Sequence, residues 1–142
     1  MEVVKSVKRN VLLNPGPATT TDTVKYAQVV PDICPREKEF VAIMDEIRRE
    51  LVKVVHGDPK KHTAVLFAGS GTVVQDVLVN SLVPENNKIL VVNNGSYSAR
   101  MVEIAQHYHI PCVDLKFPST GRPDLKAVGQ DLDRDRDIAV VA

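Results

Sequence analysis

The residues best suited to bind a phosphate group lie in one short turn, Gly69-Ser-Gly-Thr72, which follows the apolar residues 64–68 and precedes a predicted helix. Glycines in such a turn let backbone amides approach an anion closely, and a helix N-terminus adds partial positive charge and free N–H donors. Thr72 adds a hydroxyl group in the first helical turn. The pattern predicts a phosphate site, and the alternative is a tight turn that simply needs small residues.

Two better-known phosphate motifs do not fit this turn. A dinucleotide fingerprint needs a third glycine where Val74 stands, and an acidic residue near the end of the next strand, where Asn93 and Asn94 are found. A P-loop needs a terminal Gly-Lys-Ser/Thr, which is missing here. The turn therefore predicts a phosphate site of another kind.

Length and composition limit the function classes. A chain of 142 residues suits about one domain, and its 18 basic and 18 acidic residues give no excess charge for nucleic acid or a membrane surface. No apolar run approaches the ~20 residues that span a bilayer, and the first nine residues lack the features of a signal peptide. Cys34 and Cys112 have no metal-ligand spacing. We expect a cytoplasmic protein without a metal.

Along the chain, the spacing of the apolar residues alternates between a pattern typical of helices and one typical of strands. The predicted elements are a short helix capped by Thr20 or Thr21, a helix over residues 35–55 with Gly57 at its C-terminal cap, strand 62–68, helix 72–82, strand 88–93, helix 96–108, strand 110–115, helix 124–132 and strand 138–141. The alternation predicts an α/β fold with a mostly parallel sheet covered on both faces. The chain stops at the end of a buried strand, which predicts a piece of a longer protein.

Three segments together resemble class V aminotransferases, which are pyridoxal-phosphate enzymes of fold type I. The segments are residues 12–25 (LLNPGPATTTDTVK), the turn 69–72 and residues 94–105 (NGSYSARMVEIA). Within that class the chain is most similar to the 2-aminoethylphosphonate–pyruvate aminotransferase family, over nearly all of its length. The resemblance implies a three-layer α/β sandwich, with residues 1–142 forming the N-terminal part of the large cofactor-binding domain. Residues 1–34 would be an N-terminal segment with a substrate-side loop, and residues 35–142 a helix followed by βα units.

The same resemblance implies where pyridoxal 5′-phosphate binds. Its phosphate would meet the turn at Ser70, Gly71 and Thr72, and its ring would stack on Tyr97, which follows a strand and begins a helix. The other interpretation of Tyr97 is an amphipathic residue at a helix end.

The substrate side is implied at Gly16, Pro17 and Arg36. The alternative for the Asn14-Pro-Gly-Pro17 stretch is a plain chain reversal. An arginine suits a phosphonate group, but Arg36 also begins a charged helix face, and we expect a solvated position there and for Arg100.

The reaction implied is transfer of an amino group from 2-aminoethylphosphonate to pyruvate, at a site built in a homodimer. The family's Schiff-base lysine and ring-nitrogen aspartate are expected beyond residue 142, so no catalytic residue is assigned and the chain alone is expected not to transaminate. The alternatives are alanine–glyoxylate or serine–pyruvate transamination, or a non-catalytic phosphate-binding α/β module.

Overall fold

The computed structural model describes residues 6–142, so residues 1–5, part of the stretch inspected for a signal peptide, lie outside the described residues. The chain forms two compact units that divide between Val65 and Leu66. The assignment of residues 1–34 and 35–142 to parts of a larger domain stays a prediction. Among the described residues, no helix is long and apolar enough to cross a membrane.

The first unit contains two helices, α1 (Asp22–Tyr26) and α2 (Lys38–Val54). Thr21 is the N-cap of α1, one of the two threonines predicted for it. Helix α2 begins later than predicted because Glu37 is extended and its N–H donates to the Cys34 carbonyl at 3.0 Å, forming a separate turn. The start of α2 therefore follows a local turn rather than the apolar period.

The end of α2 differs from the predicted glycine cap. His56 takes the left-handed conformation, with φ 54°, and its N–H donates to the Lys53 carbonyl at 2.9 Å. The N–H of Gly57 donates to the Val52 carbonyl, also at 2.9 Å, which completes a Schellman motif. A β-carbon at Gly57 would lie 3.1 Å from Val52 Cγ1. Gly57 is thus closely packed against Val52, while His56 makes the reversal.

The predicted strand over residues 62–68 is not formed, and this prediction was wrong. A strand is defined by hydrogen bonds to a neighbouring strand, and no strand of the described chain pairs with this segment. The carbonyl of Ala64 instead accepts a hydrogen bond from Nε of Arg48 at 3.0 Å. Val65 and Phe67 remain 72% and 56% exposed. The segment is apolar, as a strand would be, but it has no partner strand in the described part of the chain.

The second unit alternates helix and strand as predicted. Its elements are α3 (Gly71–Leu82), β1 (Lys88–Asn93), α4 (Ser96–His107), β2 (Cys112–Lys116), α5 (Leu125–Arg134) and β3 (Ile138–Val141). The three strands are parallel in the order β2-β1-β3, which confirms the α/β class. The first crossover runs from β1 to β2, and the second runs the opposite way, from β2 past β1 to β3, so right-handed connections place α4 and α5 on opposite faces.

The core of this unit lies between α3, α4 and one face of β1. Its buried members come from all three elements: Val79, Ile89, Val91, Val102 and Ala105. Alternate residues of β1 point to this face, and Leu90, pointing the other way, is also fully buried. The central strand is therefore covered on both faces, and its carboxyl end at Asn93 precedes the first turn of α4 by two residues.

Candidate functional site

The N-terminus of α3 is open to an anion. Its N-cap, Ser70, makes no side-chain capping hydrogen bond, and its carbonyl accepts from the Val73 N–H at 3.0 Å. The N–H groups of Gly71 and Thr72 lie in the first turn, where a helix has no internal acceptor for them. A β-carbon on Gly71 would meet nothing within 4 Å. The backbone donors of this turn are thus accessible from outside.

Tyr97 lies in the first turn of α4, directly after the carboxyl end of β1. The hydroxyl oxygen of Ser98 accepts from the backbone N–H groups of Asn94 and Gly95, at 3.1 and 3.2 Å. These bonds satisfy amides at the helix start and hold the strand-to-helix turn. The Tyr97 side chain is left 58% exposed, so one face of its ring is free to pack against a flat ligand.

Arg100 joins the α3 turn to Tyr97. Its Nη1 donates to Oγ1 of Thr72 at 3.0 Å, and its Cζ lies 5.7 Å from the centroid of the Tyr97 ring. Gln75 makes a second link, since its Nε2 donates to the Tyr97 carbonyl at 3.3 Å. The structure therefore brings together two of the sequence-predicted residues, Thr72 and Tyr97, through a shared arginine.

The sequence-based expectation of a solvated Arg100 was wrong, because its side chain is half-buried between α3 and α4. The missed signal was spacing: residues 97 and 100 are three apart on one helix and share a face. Gln75 was missed as well. Its Oε1 is buried and has no hydrogen-bond partner among the described residues.

The predicted substrate-side residues lie in the first unit. Gly16 and Pro17 are exposed and joined by a cis peptide bond, and the Asn14 side-chain amide donates to the Gly16 carbonyl. The N–H of Leu12 donates to Oγ1 of Thr19 at 2.9 Å, which closes this loop. Arg36 is exposed in the turn before α2, as expected for a solvated position.

Polar side chains also meet at the carboxyl end of the sheet, where open α/β folds bind ligands. Nδ2 of Asn93, the last residue of β1, donates to Oδ1 of Asp114 at 2.8 Å. Oδ2 of the same aspartate lies 3.5 Å from Lys116 Nζ. Both carboxylate oxygens thus have a partner, so Asp114 has a structural explanation. Within residues 6–142, no group of three or more potential ligands is arranged to hold a metal ion.

Comparison with known proteins identifies the relatives of this chain. No family model matches the sequence. The 2-aminoethylphosphonate–pyruvate transaminase of Bacteroides fragilis is 34% identical over 137 residues, which are 96% of this chain and 38% of that protein. The Bacillus cereus enzyme of the same name is 34% identical over 131 residues, or 92% of this chain and 36% of the relative.

The fold comparison agrees with the sequence comparison. The crystal structure of an alanine–glyoxylate aminotransferase from Nostoc sp. matches with a TM-score of 0.80 and 25% identity, over 99% of this chain and 36% of that one. The chain is thus similar to known aminotransferases along nearly its whole length, and it spans 38% or less of the length of these curated relatives. The predicted resemblance is confirmed.

Proposed function

We propose that this chain is part of an aminotransferase that binds pyridoxal 5′-phosphate and transfers the amino group of 2-aminoethylphosphonate to pyruvate. The observation that carries the proposal is the joining, by Arg100, of an open helix N-terminus to an exposed aromatic ring within one compact unit. The helix N-terminus suits the phosphate group of a planar, phosphorylated ligand, and the aromatic ring suits its planar ring. The similarity to two transaminases over more than nine-tenths of the chain supports the same chemistry.

The residues present fit this cofactor. The N–H groups of Gly71 and Thr72 and the Thr72 hydroxyl would hold its phosphate, beside Ser70 at the N-cap. The Tyr97 ring would pack against the pyridine ring and limit its tilt. When bound, the cofactor supplies the electron sink for amino-group chemistry, and these residues orient it and exclude water from its faces.

For the substrate side we propose Gly16, Pro17 and Arg36 in the loop and turn of the first unit. The exposed, planar guanidinium of Arg36 is suited to form two parallel hydrogen bonds with a phosphonate. We also propose fold type I, a homodimeric whole protein, and a covalently bonding lysine and ring-nitrogen aspartate outside residues 1–142.

A second candidate reaction is alanine–glyoxylate transamination, because the matched crystal structure carries that name. The two candidates share the cofactor site and differ in the amino donor. The curated names favour the phosphonate donor.

The test uses the whole protein that carries this chain, loaded with pyridoxal 5′-phosphate. Addition of 2-aminoethylphosphonate should bleach the absorbance of the aldehyde form of the cofactor, and pyruvate should restore it with formation of alanine. Bleaching by alanine with restoration by glyoxylate, and none by the phosphonate, would support the second candidate. A protein that binds phosphate compounds but catalyses neither reaction would be a non-catalytic module.

Thr72→Val should weaken cofactor retention, while Arg136→Met, on a side chain that is 81% exposed, serves as the matched control.

A further inference from the structure

We propose that Arg100 is a positioning residue that directs the Thr72 hydroxyl and the Tyr97 ring toward the cofactor. This inference rests on the proposed function, since it concerns how the same site selects a phosphorylated ligand. The structure shows one guanidinium in contact with a residue of each of the two helices that form the site.

The hydrogen bond to Thr72 determines what that hydroxyl can do. A guanidinium has only donors, so Thr72 Oγ1 must act as the acceptor in the 3.0 Å contact. The single hydrogen of the hydroxyl is therefore not used on Arg100 and remains available to donate to an anion. The positive charge beside the oxygen also makes that O–H a stronger donor. Arg100 thus converts an ambiguous hydroxyl into an oriented donor at the start of α3.

The contact with Tyr97 uses a different part of the same group. The guanidinium carbon lies 5.7 Å from the ring centroid, within the range of a cation–π contact. Gln75 holds the backbone carbonyl of Tyr97, so the ring and the main chain are restrained from two sides. A lysine has the charge but lacks the planar fork, so it is expected to make only one of the two contacts well.

A positive charge at this position also favours phosphate. The N-terminus of α3 already carries partial positive charge, and a phosphate monoester carries between one and two negative charges near neutral pH. Without Arg100, the turn would keep its amides but lose both the oriented hydroxyl and the added charge. Loss of Arg100 should therefore weaken binding of the phosphate group of the ligand more than binding of its ring.

The test measures dissociation constants of pyridoxamine 5′-phosphate and of pyridoxamine, which lacks the phosphate, on the whole apo protein. We define the phosphate advantage as the dissociation constant of pyridoxamine divided by that of pyridoxamine 5′-phosphate. Arg100→Met should lower this advantage about tenfold or more, which corresponds to loss of a charge-assisted hydrogen bond. Arg100→Lys should recover part of it, and the control Arg136→Met should leave it unchanged. In a Thr72→Val background the effect of Arg100→Met should shrink by several-fold, because the two residues act together.

The outcomes separate the two proposals. If the wild type and Arg100→Met have the same phosphate advantage, this inference is overturned and the proposed function stands. A wild-type protein that binds neither ligand overturns both. A purely structural role would lower the melting temperature and weaken both ligands equally, which also overturns it. If Arg100→Met does not fold, Arg100→Gln, which also lacks the positive charge, supplies the same comparison.

Discussion

Gly69 and Val73 leave no room for a side chain between them: a β-carbon on Gly69 would lie 2.5 Å from Val73 Cγ2. By contrast, a β-carbon on Gly71 would meet nothing within 4 Å. Neither glycine has a positive φ. The two glycines of the same turn therefore act differently, since Gly69 is needed for packing onto α3 and Gly71 keeps the approach to the helix N-terminus open.

Substitution of each glycine by alanine should separate stability from binding. Gly69→Ala forces the turn to move and should lower the free energy of unfolding by about 1–3 kcal/mol. Gly71→Ala, at a helical residue with free space, should change it by no more than about 0.5 kcal/mol. Urea denaturation of the two variants checks this difference, and equal destabilisation would contradict it.

Gly71→Ala should still weaken binding of pyridoxamine 5′-phosphate, because the added methyl group stands in the open approach to the amides. Titration of the variant against wild type measures the effect. Pyridoxamine binding provides the control, since it lacks the group that the turn would hold. A variant that binds both ligands as the wild type does would show that the phosphate does not lie over this residue.

Replacement of His109 by glycine should stabilise the protein. His109 has φ 58° just beyond α4, and a left-handed residue other than glycine costs about 1–2 kcal/mol. The N–H of Ile110 donates to the Ala105 carbonyl at 2.8 Å, so the reversal itself is well bonded and glycine would keep it. We expect His109→Gly to raise the free energy of unfolding by about 1 kcal/mol.

The matched control is His107→Gly, at the last residue of α4. This position is helical, so glycine there should cost about 0.5–1 kcal/mol. Thermal denaturation of the two variants should therefore show shifts of opposite sign. Shifts of the same sign would contradict the left-handed conformation described for His109.

The ion pair between Lys88 and Asp135 should make stability depend on pH. Lys88 Nζ lies 2.7 Å from Asp135 Oδ2 and joins the start of β1 to the segment before β3. This hydrogen bond lowers the pKa of Asp135 from its usual 3.8 and raises that of Lys88 above 10.5. A lowered carboxyl pKa contributes stability above the unfolded value that is lost as pH falls through the folded value. A raised lysine pKa contributes stability that is lost as pH rises through the folded value.

Lys88→Met should accordingly lower the melting temperature most between about pH 4 and pH 10, and its difference from wild type should shrink in stronger acid. Arg136→Met, which removes an exposed ion-pair partner 3.6 Å from Asp133, should have little effect at any pH. A difference for Lys88→Met that is constant from neutral to acidic pH would show that packing of its side chain, not charge, is responsible.

The two cysteines should react at different rates. Cys112 is half-buried, and burial, followed by the charge of Asp114, raises the pKa of its thiol. Cys34 is exposed. Because the thiolate is the reacting species, iodoacetamide at neutral pH should label Cys34 first, as read by peptide mass spectrometry. Urea should remove the difference, and faster labelling of Cys112 in the folded protein would contradict the burial described.

Local pattern sufficed for most elements of the second unit. Strands 88–93 and 138–141 have the predicted bounds, and helices α3 and α4 differ from theirs by one residue. These segments could be predicted because the apolar period, the turn residues after each element and the strand-to-helix alternation all act within a few residues of one another. The open turn at residues 69–72 was identified for the same reason.

Contacts between distant residues decided the rest. Residues 62–68 have the composition of a strand, but pairing depends on a partner that lies elsewhere in the chain, and composition cannot supply one. The left-handed residue after α2 is His56 rather than Gly57, and the Gly57 N–H completes the turn by donating to the Val52 carbonyl.

The sequence by itself determined the α/β class, the position of the Gly-Ser-Gly-Thr turn before α3 and the aromatic residue that follows β1. Only the tertiary structure decided that Arg100 lies between Thr72 and Tyr97, 28 and three residues away along the chain. The physical reason is that an arginine on a helix surface has many solvated positions of similar free energy. Packing of α3 against α4 places a hydroxyl and a ring within reach of its guanidinium, and so selects one of them.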